Sequence, residues 1–523
     1  MNKLYYGDNL EILRNKIQDN SVDLCYIDPP FNSKRSYFQI YNNIGGEVDR
    51  AQSQAFTDTW TWDRSAETGF SQITSNYEGR FTRQVIELIR GLEIILGKGD
   101  LLAYLVSMTL RITEIFRVLK PTGSFYLHCD PTASHYLKLV LDAVFCGRGG
   151  DFQNEIVWCY KSRPQPKSYF GKKHDVLLFY TKSNSYTFNW EDVARPLSEA
   201  TIRKYRLIDE EGRRYRLQGR GITGSPIRSA KDVSQEWEIS HPELTVRDYL
   251  DEKIGVALED WWVDINIINQ NATERMGYPT QKPEDLLERI ITASSNEGDL
   301  VLDAYCGCGT TIAVAERLNR EWIGIDITYH SISLMLKRLV DSFGESVLEK
   351  VLEDGIPKDV EAARALANRE DDYTRKEYEK WASLTYSNNR AVINEKKGAD
   401  KGIDAIVYFK TKPDKTERMA IQVKSGHVNR GTIATLRGDM DRENAKMAAL
   451  ITLEEPSKPM IEEAAGSGFY HHELMGRDYP KVRIVTVREI IEDRVRLDLP
   501  LSYDSVRPGK KNSKNSDQLQ IDF

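Results

Sequence analysis

The chain has little that would tie it to an oxidising or a membrane setting. Its 523 residues include six cysteines, too few for a disulfide framework at this length. Cys306 and Cys308 flank a single glycine, without nearby histidines and without the spacing of a metal site. The thiols are therefore expected to be reduced. No apolar run is long enough to span a bilayer. The first twenty residues carry scattered charges rather than the apolar stretch of a signal peptide. These absences predict a cytoplasmic protein with no membrane association. No G-x-x-x-x-G-K-[ST] loop occurs, so ATP-driven translocation is not expected of this polypeptide. A global excess of positive charge is also missing, the formal net charge being −7. A nucleic-acid partner would have to meet a local basic patch.

What remains is ordinary globular sequence, 40% hydrophobic and 29% charged, long enough for two to four domains. Its most informative stretch is Asp28-Pro29-Pro30-Phe31. It follows an apolar run from Val22 to Ile27 that reads as a buried strand. The two prolines end that strand, leaving a carboxylate, a proline carbonyl and an aromatic ring at its C-terminal edge. Ligands of open α/β sheets bind at that edge. Tyr6-Gly7-Asp8-Asn9 presents an acid in the same way, or else a turn with a helix N-cap. Residues 32–75 are polar and aromatic and read as a long loop, a lid, a binding loop or a disordered stretch.

An apolar stripe over 106–119 predicts a helix, and strands are expected over 124–128, 155–160 and 176–180. A second informative stretch starts at Tyr278-Pro279-Thr280-Gln281-Lys282-Pro283 and a helix. The strand 300–305 follows, then Cys306-Gly307-Cys308-Gly309-Thr310-Thr311, another helix, and a strand ending at Asp326. Strand, glycine turn, helix, strand and acid make the nucleotide-binding half-unit. Asp326, nineteen residues after Gly307, can hold ribose hydroxyls. Ile312 stands where a dinucleotide fingerprint has its third glycine, which favours a nucleoside over a pyrophosphate cofactor. Between Thr201 and Lys231 nine Lys or Arg stand against three acids, with Tyr205 and Tyr215 interleaved. Phosphate contact is expected from Arg203, Lys204, Arg206, Arg213, Arg214, Arg216 and Arg220.

Residues 1–340 resemble the DNA amino-methyltransferases that use S-adenosylmethionine. With Asp-Pro-Pro-Phe first and the glycine loop last, the order of parts is similar to the permuted beta class. The resemblance implies a doubly wound, Rossmann-like α/β sheet over 1–345, with a target-recognition region at 190–275. It implies catalytic roles for Asp28, Pro29, Pro30 and Phe31. It implies cofactor contacts from Asp8, Gln281, Lys282, Asp303, Tyr305, Gly307, Gly309, Thr310, Thr311 and Asp326. Ala304, Tyr305 and Cys308 depart from the commonest Pro, Phe and Ser. Asp at position 28 is commoner in adenine-modifying members, so adenine N6 is expected ahead of cytosine N4.

Residues 346–371 are charged and predict a helical linker. The part 372–502 resembles Mrr-like PD-(D/E)xK nucleases, an α/β restriction-endonuclease-like fold. That resemblance implies Glu379, Asp404, Gln422 and Lys424 as catalytic, with Asp404 and either the Gln422 side chain or the Val423 carbonyl holding Mg²⁺ and Lys424 near the attacking water. A single-chain restriction-modification enzyme would follow. The alternative is a methyltransferase whose C-terminal part only binds DNA or a partner. Expected partners are double-stranded DNA, a second copy as a homodimer, and the sliding clamp through Gln518–Phe523 on a disordered tail, 503–523.

Overall fold

The structure is a computed structural model. It describes all residues except 1, 31–34, 43–47, 59, 61, 161–167, 169, 220–232, 270, 271, 273, 277, 279, 369–371, 389, 395–401, 413, 414, 474 and 500–523. Phe31, Arg220 and the clamp-like tail therefore lie outside the described residues. One compact unit comprises Met1–Thr187, Trp261–Ile291 and Ser295–Phe523, and a second comprises Phe188–Asp260 with Thr292–Ser294.

The first unit is built on a nine-stranded sheet. From edge to edge its strands are Trp261–Trp262, Asp151–Cys159, His174–Thr181, Leu119–Cys129, Val22–Ile27, Leu300–Asp303, Glu321–Asp326, Asn2–Tyr6 and Val351–Asp354. The six strands from Leu119–Cys129 to Val351–Asp354 run parallel. His174–Thr181 is antiparallel to both neighbours. Strand residues alternate between two cores, Leu24 and Tyr26 in one, Cys25 and Ile27 in the other. Both faces are covered by helices, which is why the central strands read as unbroken apolar runs. Helices Asn9–Lys16, Arg83–Leu96 and Asp100–Val118 fill one face. Glu284–Ser294, Thr310–Arg317 and Tyr329–Phe343 fill the other.

Two expectations are corrected here. The long polar stretch after Phe31 holds regular structure, an antiparallel pair Arg35–Asn42 and Val48–Asp58, then helix Arg64–Thr74. The 346–371 segment is not simply a helical linker. It forms a 3₁₀ turn, Glu345–Lys350, and the edge strand Val351–Asp354 beside Asn2–Tyr6, before helix Val360–Ala367. Four residues with Leu352 exposed carry no alternation that would announce a strand.

After helix Asp372–Tyr386 a second sheet runs Val392–Ile393, Ala405–Lys412, Lys415–Lys424, Met447–Thr452, Val482–Thr486. Its first three strands are antiparallel, and the last two join in parallel. This sheet is not insulated from the large one. Leu339, Ala363 and Leu366 share a single buried cluster with Tyr378, Trp381, Val407 and Ile421.

The second unit holds a three-stranded antiparallel sheet, Leu207–Ile208, Arg214–Gly219 and Thr245–Tyr249, with short helices Glu199–Ile202 and Gln235–Ser240.

Candidate active site

Strand register brings the sequence-predicted acids together. Leu302 pairs with Cys25, Asp303 with Gly324, and Asp326 with Tyr6. Counting on from these pairs, Asp28, Tyr305 and Asp326 leave three neighbouring strands at one level. This is the C-terminal edge, on the crevice between Val22–Ile27 and Leu300–Asp303, where the chain turns away in opposite directions.

Asp28 is held on one side only. Its Oδ2 accepts Lys282 Nζ, while its Oδ1 is buried and has no hydrogen-bond partner among the described residues. An unpaired buried carboxylate oxygen is costly unless a donor arrives. Lys282, expected at the cofactor, is thus placed on the Asp28 carboxylate. Gln281 braces its own loop, accepting the Met276 N–H at 2.8 Å and donating to the Glu274 carbonyl at 2.6 Å.

The glycine loop is built by its polar side chains. Asp303 accepts the Tyr305 N–H (3.0 Å) and the Thr311 hydroxyl (2.6 Å). Thr310 Oγ1 accepts Arg338 (3.0 Å). Asp326 Oδ2 accepts the Gly307 N–H (2.9 Å), and Oδ1 accepts the N–H and hydroxyl of Thr328. Gly309 caps helix Thr310–Arg317 at φ +74°, where a Cβ would come 2.5 Å from Met335 Cγ. Only glycine holds that conformation without strain. Burial pushes the Asp303 carboxyl up to about 7 and Asp326 to about 6, with Asp28 and Asp326 adding repulsion at Asp303. Three carboxylates share this rim.

Asp8 acts as a helix cap. Its Oδ1 accepts the Leu10 and Glu11 N–H groups, and its Oδ2 accepts Arg111 at 2.9 Å. Arg111 also donates to Asn9, whose amide donates to the Ala304 carbonyl. Sequence reasoning missed Arg111, as well as a buried chain beside Asp28. Tyr26 Oη lies 2.9 Å from His128 Nδ1, His128 Nε2 lies 3.1 Å from Asp175, and the Tyr160 hydroxyl donates to Asp175 at 3.1 Å. Burial alone would raise Asp175, but His128 and the positive charge of Lys282 hold it below the usual range. A tyrosine two residues before Asp28 on a strand was the available signal, since it must share the face of Asp28.

In the second unit the basic segment is largely neutralised from within. Arg213 grips Asp251 and Glu252, Arg216 pairs with Asp248, and Arg203 pairs with Glu199. Arg214 donates to the carbonyls of Tyr205 and Ile202. Lys204 and Arg206 are exposed, and neither makes an ion pair among the described residues.

In the C-terminal sheet Asp404 and Gln422 lie side by side, but as structural groups. Asp404 Oδ2 accepts the Val423 N–H at 2.7 Å, and the Gln422 amide donates to the Gly402 carbonyl. Gln422 is buried, and its Oε1 has no hydrogen-bond partner among the described residues. Among the described residues no group of three or more His, Cys, Asp or Glu could hold a metal. The residues present do not fit the expected Mg²⁺. Glu379 is half-buried, and Lys424 ends its strand facing Thr452.

A family model described as DNA methylase matches residues 22–337, and the chain belongs to that family. A second model, described as NACHT-associated inactive Restriction Endonuclease 1, matches residues 375–492. Type II methyltransferase M.HpaI of Haemophilus parainfluenzae is 31% identical over 342 residues, covering 65% of this chain and 75% of the relative. DNA adenine methyltransferase YhdJ of Escherichia coli (strain K12) is 28% identical over 339 residues, covering 64% and 82%. Type II methyltransferase M.EcaI of Enterobacter cloacae is 28% identical over 263 residues, covering 45% of this chain and 57% of the relative. The chain thus spans little more than half the length of M.EcaI.

Proposed function

We propose that residues 1–345 methylate the exocyclic amino group of a base flipped out of duplex DNA, adenine N6 ahead of cytosine N4. The activity would serve a restriction-modification system. The observation that carries this reading is Asp28, with one oxygen fixed by Lys282 and the other buried and unpaired among the described residues. That free oxygen accepts one N–H of the amino group, and the Pro29 carbonyl accepts the other. The nitrogen is thereby held nearer tetrahedral, and its lone pair is localised for attack. Extrusion of the base is required because this edge cannot reach into a stacked duplex.

S-adenosylmethionine, when bound, supplies the methyl group on a sulfonium cation. The rim of Asp28, Asp303 and Asp326 suits that positive charge, and Asp326 suits the ribose. Gly307 and Gly309 let the loop turn at φ +48° and +74°, with Tyr278 and Met335 packed where a Cβ would stand, and so shape the loop at this rim. The relative named as an adenine methyltransferase adds support for adenine.

For the C-terminal part we adopt the non-cleaving alternative. The commitment of Asp404 and Gln422 to backbone groups supports it, as does the match to an inactive endonuclease family. Sequencing that detects methylated bases, on DNA from cells expressing this chain, tests the whole reading. Methyl groups on adenine N6 at one sequence support it. N4-methylcytosine moves it to the other base, and unmodified DNA rejects it.

A further inference from the structure

Helix Asp372–Tyr386 sends one carboxylate, Glu377, into the core at 2% exposure. Its Oε2 accepts the Tyr6 hydroxyl at 3.2 Å and the Tyr329 backbone N–H at 3.1 Å. Its Oε1 accepts Lys380 Nζ at 2.9 Å. Tyr6 and Tyr329 flank Asp326. Tyr6 is the register partner of Asp326, and Tyr329 opens the helix that follows it.

The first N–H groups of a helix have no partner inside it, so Glu377 caps Tyr329–Phe343 from a distant part of the chain. Thr328 caps the same helix through the Ser331 N–H and gives its own N–H and hydroxyl to Asp326. Asp326 in turn receives the Gly307 N–H. Hydrogen bonds and adjacent residues therefore link Glu377 to Tyr329, Thr328, Asp326 and the glycine loop. The same helix makes a second contact, Thr385 Oγ1 donating to the Tyr329 hydroxyl at 3.1 Å. The Tyr6 and Tyr329 rings meet edge to face with centroids 6.0 Å apart. A buried carboxylate is tolerated only when its oxygens are hydrogen-bonded, and here both are.

We infer that Glu377 is a positioning residue for the cofactor site: the C-terminal domain holds the Asp326–Tyr329 turn in the conformation that receives the ribose. This rests on the role proposed above for Asp326. Glu377 touches neither base nor cofactor and acts through Tyr329 and Thr328. The nuclease-like domain then has a task that needs no nuclease chemistry.

The test uses the full chain carrying Glu377→Ala, Glu377→Gln or Tyr6→Phe. Glu377→Ala should raise the dissociation constant and the KM for S-adenosylmethionine about tenfold, the usual effect of losing a charge-assisted hydrogen bond. KM for DNA, and kcat at saturating cofactor, should stay within about twofold. Hydrogen exchange at amides 326–331 should rise. Glu377→Gln keeps an acceptor for the Tyr329 N–H and should recover most of the affinity. Tyr6→Phe removes one arm and should give a smaller rise. A folded Glu377→Ala protein with wild-type cofactor affinity and exchange overturns the inference. So does a variant that loses melting temperature and kcat while binding cofactor normally. If Glu377→Ala does not fold, Tyr6→Phe decides, and unchanged affinity and exchange there overturn the inference. Wild-type protein that binds no S-adenosylmethionine rejects the proposed function instead, and exchange at 326–331 still decides the positioning role.

Discussion

At Asp28 the two carboxylate oxygens have different duties, one anchored by Lys282 and one waiting for a donor. Replacing Asp28 with Ala is therefore expected to abolish methyl transfer while leaving S-adenosylmethionine binding within a few-fold. Equilibrium binding beside methyl incorporation checks this, and joint loss of both would make Asp28 a cofactor or folding residue. The raised carboxyls give a pH signature. As pH falls through about 7 and then about 6, Asp303 and Asp326 become neutral and a sulfonium loses their attraction. Cofactor affinity should weaken from pH 8 to 5.5. Their effect on folding has the opposite sign, because both carboxyls bind protons more tightly folded than unfolded. The stability they contribute is complete below the unfolded value of about 3.9 and is lost as pH rises through 6 and 7. Calorimetric titration and melting curves across that range separate the two trends, and a flat binding profile would contradict the charge argument.

Among the elements, the glycine loop and the small sheet make separate predictions. Gly309→Ala adds a Cβ at φ +74° against Met335 and should cost about 1–3 kcal/mol, read as a lowered melting temperature. In the small sheet Arg216 pairs with Asp248 and lies over the Tyr205 ring at 5.0 Å, so Arg216→Ala should loosen the sheet itself. Lys204 and Arg206 are the better candidates for phosphate contact. Replacing either should lower affinity for all DNA sequences and flatten the salt dependence by about one unit per contact. An unchanged slope in the double variant would remove them from the interface. What the sequence made legible at this scale were features with a local pattern. The strand leading to Asp28, the glycine loop and the strand ending at Asp326 each carry an apolar run and a punctuating residue. Arg213 and Arg216 read as free cations because the acids that neutralise them, Asp248, Asp251 and Glu252, come more than thirty residues later. Sequence spacing on a charged helix does not say which acid turns inward, so the sequence points to Glu379 while it is Glu377 that is buried.

For the molecule as a whole, the shared cluster joining Leu339 and Leu366 to Trp381 and Ile421 predicts one cooperative heat-absorption peak for the large sheet and the C-terminal sheet together. Two resolved peaks from these parts would contradict it. Plasmid DNA incubated with the chain and Mg²⁺ or Mn²⁺ should stay intact whether methylated or not. Asp404→Ala should lower the melting temperature through the lost Val423 bond rather than abolish a cleavage. The join between the two sheets escaped the sequence for a physical reason: the apolar residues that make it, Leu339, Leu366, Trp381 and Ile421, sit on separate elements, and their spacing in sequence does not say which of them share one core. That join also bears on ancestry. A lineage that gained the nuclease-like module and came to rely on Glu377 under Tyr329 could not discard it when cutting ceased to be useful. Selection on methylation alone would then be enough to preserve the C-terminal scaffold, whatever that scaffold itself does to DNA.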